Sequence, residues 1–280
     1  DTSFMWLPNT AESTISRWDP SLTPPREIAK YRVGLQVGEC PGACCWEDGC
    51  NMPSRVSIDD AGNAYVANRG FGMQGTVTKI AGRLEECIDR NNNGVIETSV
   101  NDQPMNYGED ECVLWNEPVG PVDAVLRALA VDLGDASAPD GYVWAGSWTR
   151  RTMYKLSPED GRLIAEVPVN LAPYGVVALG TGDIWVSTLD DPALQSIDSV
   201  SGERGPLIRA PQDLTGDCRS SYGIGVDLRG RIWLGGWDCP YALGYDPRED
   251  TWCRADLDFG LDNNRVGRGI SADGSGRVWA

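Results

Sequence analysis

A short pattern of apolar and polar residues recurs along the chain. Its centre is an aromatic residue between apolar neighbours, as in Ile184-Trp185-Val186 and Ile232-Trp233-Leu234, and both of these copies follow a glycine. The aromatic residue falls at positions 6, 65, 144, 185, 233 and 279. A repeat of roughly 40–50 residues is typical of propellers and solenoids, which are built from one supersecondary unit.

The pattern inside each repeat predicts four short strands. An apolar first strand, such as residues 176–179 or 224–227, is followed by a tight Gly/Asp turn and then by the aromatic strand. A third strand ends at a polar turn such as residues 157–161, and a fourth strand closes the unit. Short strands rich in β-branched and aromatic residues between Gly, Pro and Asp turns are typical of β-meanders. We therefore expect an all-β chain, with residues 1–280 forming a single β-propeller domain of six or seven four-stranded antiparallel blades.

Two longer intervals in the repeat predict insertions. The first holds a cysteine cluster, roughly residues 34–52, and the second is acidic, roughly residues 83–120. Functional residues tend to lie in such loops. The repeat is out of phase with the chain ends, because the chain opens on a second strand and stops on another. Two explanations stay open: the N-terminal strands complete the last blade, or the protein continues past Ala280.

Several short sequence segments resemble those of a known group of propellers. The segment from Asp59 to Asn68 and the turns at residues 157–161 and 246–250 are similar to those of YVTN and streptogramin-lyase-like (virginiamycin B lyase-like) propellers. The resemblance covers nearly the whole chain outside the insertions and implies the fold. For activity it implies a histidine general base and a magnesium-assisted ring opening. The chain contains no histidine, so a lyase of that kind is disfavoured.

The charge of the chain limits its partners. The net charge is −17, which argues against nucleic acid and against anionic membranes, because both require a basic surface. An acidic protein of this kind suits cations better. No apolar run approaches the roughly 18–20 residues of a spanning helix, so no membrane insertion is expected.

The cysteines indicate an oxidising compartment. Nine cysteines are unusual for a cytosolic protein without a metal, so we expect a secreted, extracellular or periplasmic chain with disulfides. Zinc is the alternative for the first cluster, although its spacing suits a tetrahedral site poorly. The odd count leaves one thiol free or paired outside the chain. The candidate disulfide cysteines are Cys40, Cys44, Cys45, Cys50, Cys87, Cys112, Cys218 and Cys239.

The acidic insertion contains a candidate calcium loop. Residues 89–97 match the first half of an EF-hand-type loop, in which side chains at positions 1, 3 and 5 converge on one Ca²⁺ and position 7 gives its carbonyl oxygen. Position 12 is Val100, so the usual bidentate glutamate is missing, and Asp102, Glu109 and Asp110 are candidates for the remaining oxygen. A turn that binds nothing is the alternative. The expected ligands are Asp89, Asn91, Asn93, Val95 and Glu97.

A second candidate site comes from aligning the first strands. Residues five positions before the turn residue should form a ring at one mouth of the propeller channel, and the loops after the aromatic strands should open nearby. An Arg/Tyr ring with Trp at its rim suits an anionic or sugar-like ligand. Pairing of the arginines with carboxylates and packing of the Trp rings is the structural alternative. The predicted mouth residues are Arg55, Arg127, Tyr174, Tyr222 and Arg268, with Trp148 and Trp237 from the loops.

These patterns predict a secreted or cell-surface, calcium-binding propeller that acts as a binding or structural module. Its partner would be a glycan, an anionic small molecule or a protein. One alternative is a streptogramin-lyase-like enzyme that uses Glu, Asp, Tyr or Lys instead of histidine at the mouth. Another is a subunit of an extracellular assembly or filament that self-associates, for which the odd cysteine and the out-of-phase ends are hints.

Overall fold

A computed structural model describes residues 4–34, 51–217, 219–237, 239–256 and 269–280. Most of the predicted cysteine-rich insertion, with Cys40, Cys44, Cys45 and Cys50, lies outside the described residues, as do Cys218 and Arg268. Contacts divide the chain into two compact units. Unit 1 holds Asp1–Arg150 and Tyr154–Glu166, and unit 2 holds Arg151–Met153 and Val167–Ala280.

The described chain is almost entirely β-structure, as the alternation of apolar and polar residues predicts. The first eleven strands are β1 (Met5–Asn9), β2 (Thr14–Asp19), β3 (Arg26–Arg32), β4 (Pro53–Ile58), β5 (Ala64–Asn68), β6 (Thr76–Ile80), β7 (Val113–Pro118), β8 (Leu126–Val131), β9 (Val143–Ser147), β10 (Thr152–Leu156) and β11 (Leu163–Pro168). The later strands are β12 (Gly175–Ala178), β13 (Asp183–Ser187), β14 (Ala193–Asp198), β15 (Arg204–Arg209), β16 (Gly223–Val226), β17 (Ile232–Gly235), β18 (Tyr241–Asp246), β19 (Thr251–Asp256), β20 (Ser271–Ala272) and β21 (Val278–Trp279).

Helical structure is confined to single turns in the part of the chain that the structure describes. The α-helix is α1 (Gln212–Thr215), and the 3₁₀ turns are Thr10–Glu12 and Leu84–Glu86. None of these helices is long and apolar enough to cross a membrane.

The strands form meanders in which sequence neighbours pair. Sheets 1 to 6 contain β1–β3, β4–β7, β8–β11, β12–β15, β16–β19 and β20–β21. Sheets 2 to 5 have four strands each, and their pairings are antiparallel, as in β4 with β5 and β16 with β17. Within unit 1, β4 contacts β1 and β8, and within unit 2, β16 contacts β12 and β20. The predicted four-stranded antiparallel unit is therefore confirmed.

One turn joins the first strand to the second in four of the sheets. In sheet 5, the N–H of Asp227 donates to the carbonyl of Arg231 and the N–H of Gly230 donates to the carbonyl of Asp227. The equivalent turns begin at Asp59, Leu179 and Asp273 with the same pair of bonds. Their glycine has φ between +75° and +94°, a region that other residues seldom adopt, which explains the glycine before each aromatic strand.

The aspartate of this turn also holds the aromatic residue. In sheet 5 the indole N–H of Trp233 donates to the carboxylate of Asp227 at 3.0 Å, and in sheet 3 the indole N–H of Trp144 donates to that of Asp132 at 2.8 Å. In sheet 2 the phenol of Tyr65 donates to Asp59 at 3.0 Å. These carboxylates are buried, so the bonds satisfy polar groups that would otherwise be costly inside the protein.

The aromatic strands also build the core. In unit 1, Tyr65 and Trp115 pack with Leu126 and Val143 between sheets 2 and 3. In unit 2, Trp185 lies 5.6 Å from Tyr245, ring centre to ring centre. Burying side chains of this size gives most of the favourable free energy of such a fold. The recurring aromatic residue is therefore a packing residue.

Candidate functional site

The predicted calcium loop is closed at its base by a disulfide. Cys87 and Cys112 are bonded, with a Cα–Cα distance of 4.4 Å and a sequence separation of 25, which confirms this predicted pair. Two backbone hydrogen bonds tie the same segment together, from Ile88 to Glu111 and from Glu111 to Glu97. The loop thus starts and ends against the edge of sheet 2, where β7 follows.

The early loop side chains turn inward onto the backbone. Both carboxylate oxygens of Asp89 accept backbone bonds, Oδ1 from Asn93 at 3.2 Å and Oδ2 from Gly94 at 2.8 Å. The side-chain carbonyl of Asn91 accepts from the N–H of Asn93 at 3.0 Å, and that of Asn93 accepts from Val95 at 2.8 Å. Gly94 has φ of +82°, so the sharp turn falls at the glycine, as the motif requires.

Glu97 completes the convergence of side chains. Its Oε1 accepts from the amide of Asn93 at 2.6 Å, and its Oε2 accepts from the amide of Asn91 at 3.1 Å. Val95 is 61% exposed, and its backbone N–H donates to Asn93 within the loop. The structure therefore brings Asp89, Asn91, Asn93 and Glu97 together.

Glu111 is a member of this group that the sequence motif does not reveal. Its carboxylate accepts from the N–H of Arg90 at 2.7 Å and from the N–H of Glu97 at 2.9 Å. Hydrogen bonds from the backbone of Glu97, then of Arg90 and Asn91, hold the pKa of Glu111 below its usual range. The carboxylate is therefore ionised at neutral pH. Its position 14 residues beyond Glu97 falls outside a twelve-residue motif, and only the return of the chain reveals it.

The three residues predicted to supply the remaining calcium-ligating oxygen make their described hydrogen bonds to other groups. Asp110 is buried and accepts from Ser99 and Cys112, so it braces the end of the loop. Asp102 accepts from Gln103, and Glu109 accepts from Asn106. The part expected of these three residues in binding calcium stays a prediction. The carboxylate whose described hydrogen bonds reach the loop backbone is that of Glu111.

The donor set can be tested against calcium. The described residues contain no group of three or more His, Cys, Asp or Glu side chains gathered as around a metal ion. The loop instead combines carboxylates from Asp89, Glu97 and Glu111 with two amides. The carboxylates present oxygen, the donor that Ca²⁺ prefers. The amides of Asn91 and Asn93 donate to Glu97 through nitrogen and accept backbone N–H groups through oxygen, and none of these groups is a soft ligand. The residues present fit calcium better than zinc or copper.

In unit 1 the predicted mouth residues lie at the start of β8. Arg55 donates from Nε to the carbonyl of Arg127 at 2.9 Å. The N–H of Trp148 donates to the carbonyl of Val125 at 3.0 Å, which places this loop beside the same strand end. Val125 has φ of +46°, an outlier for a β-branched residue, and strain of this kind tends to occur at functional sites.

The strand register shows which residue of sheet 2 is equivalent to Arg127 of sheet 3. Arg127 sits in a bulge between the pairs Leu126–Ser147 and Ala128–Gly146. The bulge in sheet 2 falls between Pro53 and Arg55, at Ser54. Ser54 is therefore the equivalent of Arg127, and the prediction that Arg55 holds that place is off by one residue. The cause is the turn, which begins at Asp59 and not at Asp60.

In unit 2 three predicted mouth residues form an aromatic cluster. The rings of Tyr174 and Tyr222 meet edge to face at 5.1 Å, and Tyr222 lies 4.8 Å from Trp237. Tyr174 is buried, whereas Tyr222 and Trp237 are half-buried. The backbone N–H groups of Tyr174 and Tyr222 each donate to the end of the aromatic strand, to Ser187 and Gly235, so the two residues occupy equivalent places. Arg268, the remaining predicted member, lies outside the described residues.

The two other described cysteines differ in their bonding. Cys239 is also disulfide-bonded. Cys253 is free and exposed on the outer strand β19.

Comparison with known proteins identifies the fold. No protein-family model matches the chain, and no curated protein matches it. Two structures of virginiamycin B lyase from Staphylococcus aureus are similar. One has a TM-score of 0.56 at 13% identity and covers 82% of this chain, while this chain spans 62% of its length. The other is a catalytically inactive histidine-to-alanine variant with quinupristin, with a TM-score of 0.58 at 10% identity over 100% of this chain and 81% of that one.

A third similar structure has a different context. It is the extracellular domain of a protein described as a hybrid two-component system from B. thetaiotaomicron, with a TM-score of 0.54 at 12% identity. The match covers 98% of this chain and 30% of that protein's chain. At these identities the likeness establishes the fold alone, and the fold of this chain is that of a β-propeller. The predicted resemblance to lyase-like propellers is confirmed at the level of structure.

Proposed function

We propose that the protein is an extracellular β-propeller that binds Ca²⁺ at the loop of residues 89–97 and serves as a binding module. The observation that carries this proposal is the convergence of Asp89, Asn91, Asn93, Glu97 and Glu111 above a disulfide. Carboxylates and side-chain amides that bond within one nine-residue loop, with the carboxylate of Glu111 bonded to the backbone of that loop, supply the oxygen atoms that a hard cation prefers.

Charge supports a cation at this point. The side chain of Glu97 lies within hydrogen-bonding reach of the Glu111 carboxyl group, and the carboxylate of Asp89 accepts from the backbone of the same loop. Neighbouring carboxylates repel each other unless one is protonated or a cation lies between them. A divalent cation would let all of them stay ionised. Two of the three early ligands are neutral amides, so the affinity should be modest and suited to extracellular calcium.

The extracellular assignment rests on the cysteines and on one relative. Three of the four described cysteines are disulfide-bonded, and structural disulfides persist in oxidising compartments. One similar structure is an extracellular domain. Lyase activity is not proposed, because the similar lyase is inactive when one histidine becomes alanine and this chain has no histidine.

Thermal unfolding with and without calcium tests the proposal. A ligand that binds only the folded state stabilises it by RT ln(1 + [L]/Kd), which is about 2.7 kcal/mol at a hundredfold excess over Kd. We expect the Tm to rise with Ca²⁺, to fall with a chelator and to respond less to Mg²⁺. Glu111→Gln and Asp89→Asn should weaken this response, whereas Asp160→Asn, an exposed carboxylate elsewhere, should leave it intact. A wild-type Tm that changes neither with Ca²⁺ nor with chelator would refute the calcium site.

The aromatic cluster favours a second binding role at the mouth. Tyr222 and Trp237 are half-buried, and the buried ring of Tyr174 packs edge to face against Tyr222. Half-exposed, stacked rings are suited to the faces of a sugar ring. A glycan array should give a ligand whose binding is lost in Trp237→Ala and kept in Trp279→Ala, which removes an exposed Trp from another sheet. Equal glycan binding by both variants would show that the aromatic cluster is not the binding site.

A further inference from the structure

The loop of residues 89–97 contains the one Asn-Gly pair of the sequence, Asn93-Gly94. Both residues are exposed. Beyond the adjacent residues, no heavy atom lies within 4 Å of the position that a Cβ of Gly94 would take. An asparagine before a glycine is reactive, because the glycine nitrogen reaches the side-chain carbonyl carbon without hindrance from a side chain. The calcium motif accepts aspartate or asparagine at this place, so binding a cation does not by itself require the amide.

The reaction open to this pair is hydrolysis of the amide through a cyclic imide. The backbone nitrogen of Gly94 forms a bond to Cγ of Asn93 and gives its proton to water, and the Cγ–Nδ2 bond breaks with release of ammonia. Water then opens the imide. Attack of water at Cγ gives an aspartate, and attack at the backbone carbonyl carbon gives an isoaspartate. The sequence of steps consumes water, releases ammonia and needs no oxidant or metal.

The hydrogen bonds of the loop oppose the first step. The attacking nitrogen of Gly94 donates its N–H to Oδ2 of Asp89 at 2.8 Å. The side chain of Asn93 is held at both ends, since Nδ2 donates to Oε1 of Glu97 at 2.6 Å and Oδ1 accepts from the N–H of Val95 at 2.8 Å. The nitrogen and the carbonyl carbon are therefore kept in separate hydrogen bonds, and the reaction requires the loop to open.

We propose that Asn93 is a site of spontaneous deamidation and that local opening of the loop sets its rate. Exposed loops open at a small fraction of the free energy of global unfolding, and all of the bonds that must break here join exposed or half-buried residues. A cation that binds only the closed loop would slow the reaction by the factor 1 + [L]/Kd, roughly a hundredfold at a hundredfold excess over Kd. This protection by Ca²⁺ rests on the proposed function, whereas the deamidation does not.

The two products have opposite consequences for a cation. An aspartate at position 93 still matches the motif and places a carboxylate where a neutral amide stood, and a higher ligand charge strengthens Ca²⁺ binding. An isoaspartate adds a carbon atom to the main chain and so displaces Gly94 from the turn. Deamidation therefore divides the protein into a form that binds Ca²⁺ more tightly and a form that binds it more weakly.

Peptide mapping by mass spectrometry during incubation of the full chain with a chelator tests the proposal. A synthetic peptide of residues 89–97 is the open reference. We expect position 93 to convert in the folded protein, more slowly than in the peptide. Asn106 is the internal control, because it is also exposed and bonded to a glutamate but precedes Tyr107. The proposal is overturned if position 93 stays intact after the peptide has reacted, or if Asn106 converts as fast.

Two variants test whether the loop sets the rate. Asp89→Ala removes the acceptor of the Gly94 N–H and should speed conversion roughly tenfold, because a hydrogen bond to a charged group changes the opening equilibrium by at least that factor. Asp102→Ala removes an exposed carboxylate of the same insertion, bonded to Gln103, and should leave the rate unchanged. Equal rates in Asp89→Ala and wild type would overturn the role of loop opening.

Replacing the chelator by Ca²⁺ separates this proposal from the proposed function. Slower conversion of the wild type in Ca²⁺, with no such change in Asp89→Ala, would support both. A wild-type rate that is equal in Ca²⁺ and in chelator would overturn the protection by Ca²⁺ and count against the calcium site, while conversion at position 93 would still support the deamidation. A rise in Tm with Ca²⁺ without any conversion at position 93 would overturn the deamidation alone.

Discussion

A single aspartate performs several structural tasks at the turn between the first and second strands of sheets 2, 3, 5 and 6. Asp227 accepts from the backbone of Arg229 and Arg231 and from the indole of Trp233, so one carboxylate fixes the turn and orients the core ring. In sheet 4 the same place is taken by Leu179. The backbone bonds of that turn persist, but the buried indole N–H of Trp185 has no hydrogen-bond partner in the described structure.

This difference predicts unequal costs for the same substitution. Trp233→Phe removes a ring and leaves the buried Asp227 without one of its donors, whereas Trp185→Phe removes a ring whose N–H has no such bond. We expect Trp233→Phe to lower the free energy of unfolding by about 1–3 kcal/mol more than Trp185→Phe. Urea unfolding of the two variants gives the comparison. Equal losses would show that the indole–aspartate bond contributes little.

The turn aspartates also predict an acid dependence. Hydrogen bonds from the Ser275 hydroxyl, the Arg277 backbone and the Trp279 indole lower the pKa of Asp273 to about 2. A carboxyl group whose pKa is depressed in the folded state adds stability above its unfolded pKa, and that stability is lost as the pH falls through the folded value. The Trp279 indole resonance should therefore titrate near pH 2. A midpoint near 4 would mean that these bonds do not favour the ionised form.

Residue-level details were the least accessible to sequence reasoning. Asp59 and Asp60 are adjacent and equally acidic, and only the turn hydrogen bonds show that Asp59 is the structural one. Glu111 lies outside the calcium motif because its approach depends on a return of the chain.

At the level of strands and loops, the alternation of apolar and polar residues predicted where strands lie. First strands expected at residues 176–179 and 224–227 correspond to β12 and β16, and each is followed by the aromatic strand. Period-2 alternation and Gly/Asp turns are local signals, so a single sequence carries them. The disulfide at the base of the acidic insertion was also foreseeable, because two cysteines bracket a loop that needs closing.

That disulfide gives a prediction for the insertion. Closing a loop with a sequence separation of 25 removes chain entropy from the unfolded state, worth about 3 kcal/mol in the chain-entropy model. We expect the double variant Cys87→Ser, Cys112→Ser to unfold at a lower temperature and to bind calcium more weakly. Cys253→Ser is the matched control, since this cysteine is free and exposed. A double variant as stable as the control would mean that the insertion needs no covalent closure.

For the whole molecule, fold and function have separate origins in the sequence. Propellers whose sequences are 10–13% identical to this chain share its fold, so very different sequences are compatible with the same pattern of strands and turns. One propeller scaffold hosts unrelated functions. The candidate calcium site of this chain lies where it departs from the repeat, in the inserted loop, whereas the aromatic cluster of unit 2 includes equivalent positions of two sheets.

A crystal structure of the protein grown with Ca²⁺ tests the central claim most directly. The account predicts one ion at the loop, with six to eight oxygen ligands at about 2.3–2.6 Å that include Asp89, Asn91, Asn93, the Val95 carbonyl, Glu97 and Glu111. An ordered loop without an ion at millimolar Ca²⁺, or an ion bound only elsewhere, would contradict it.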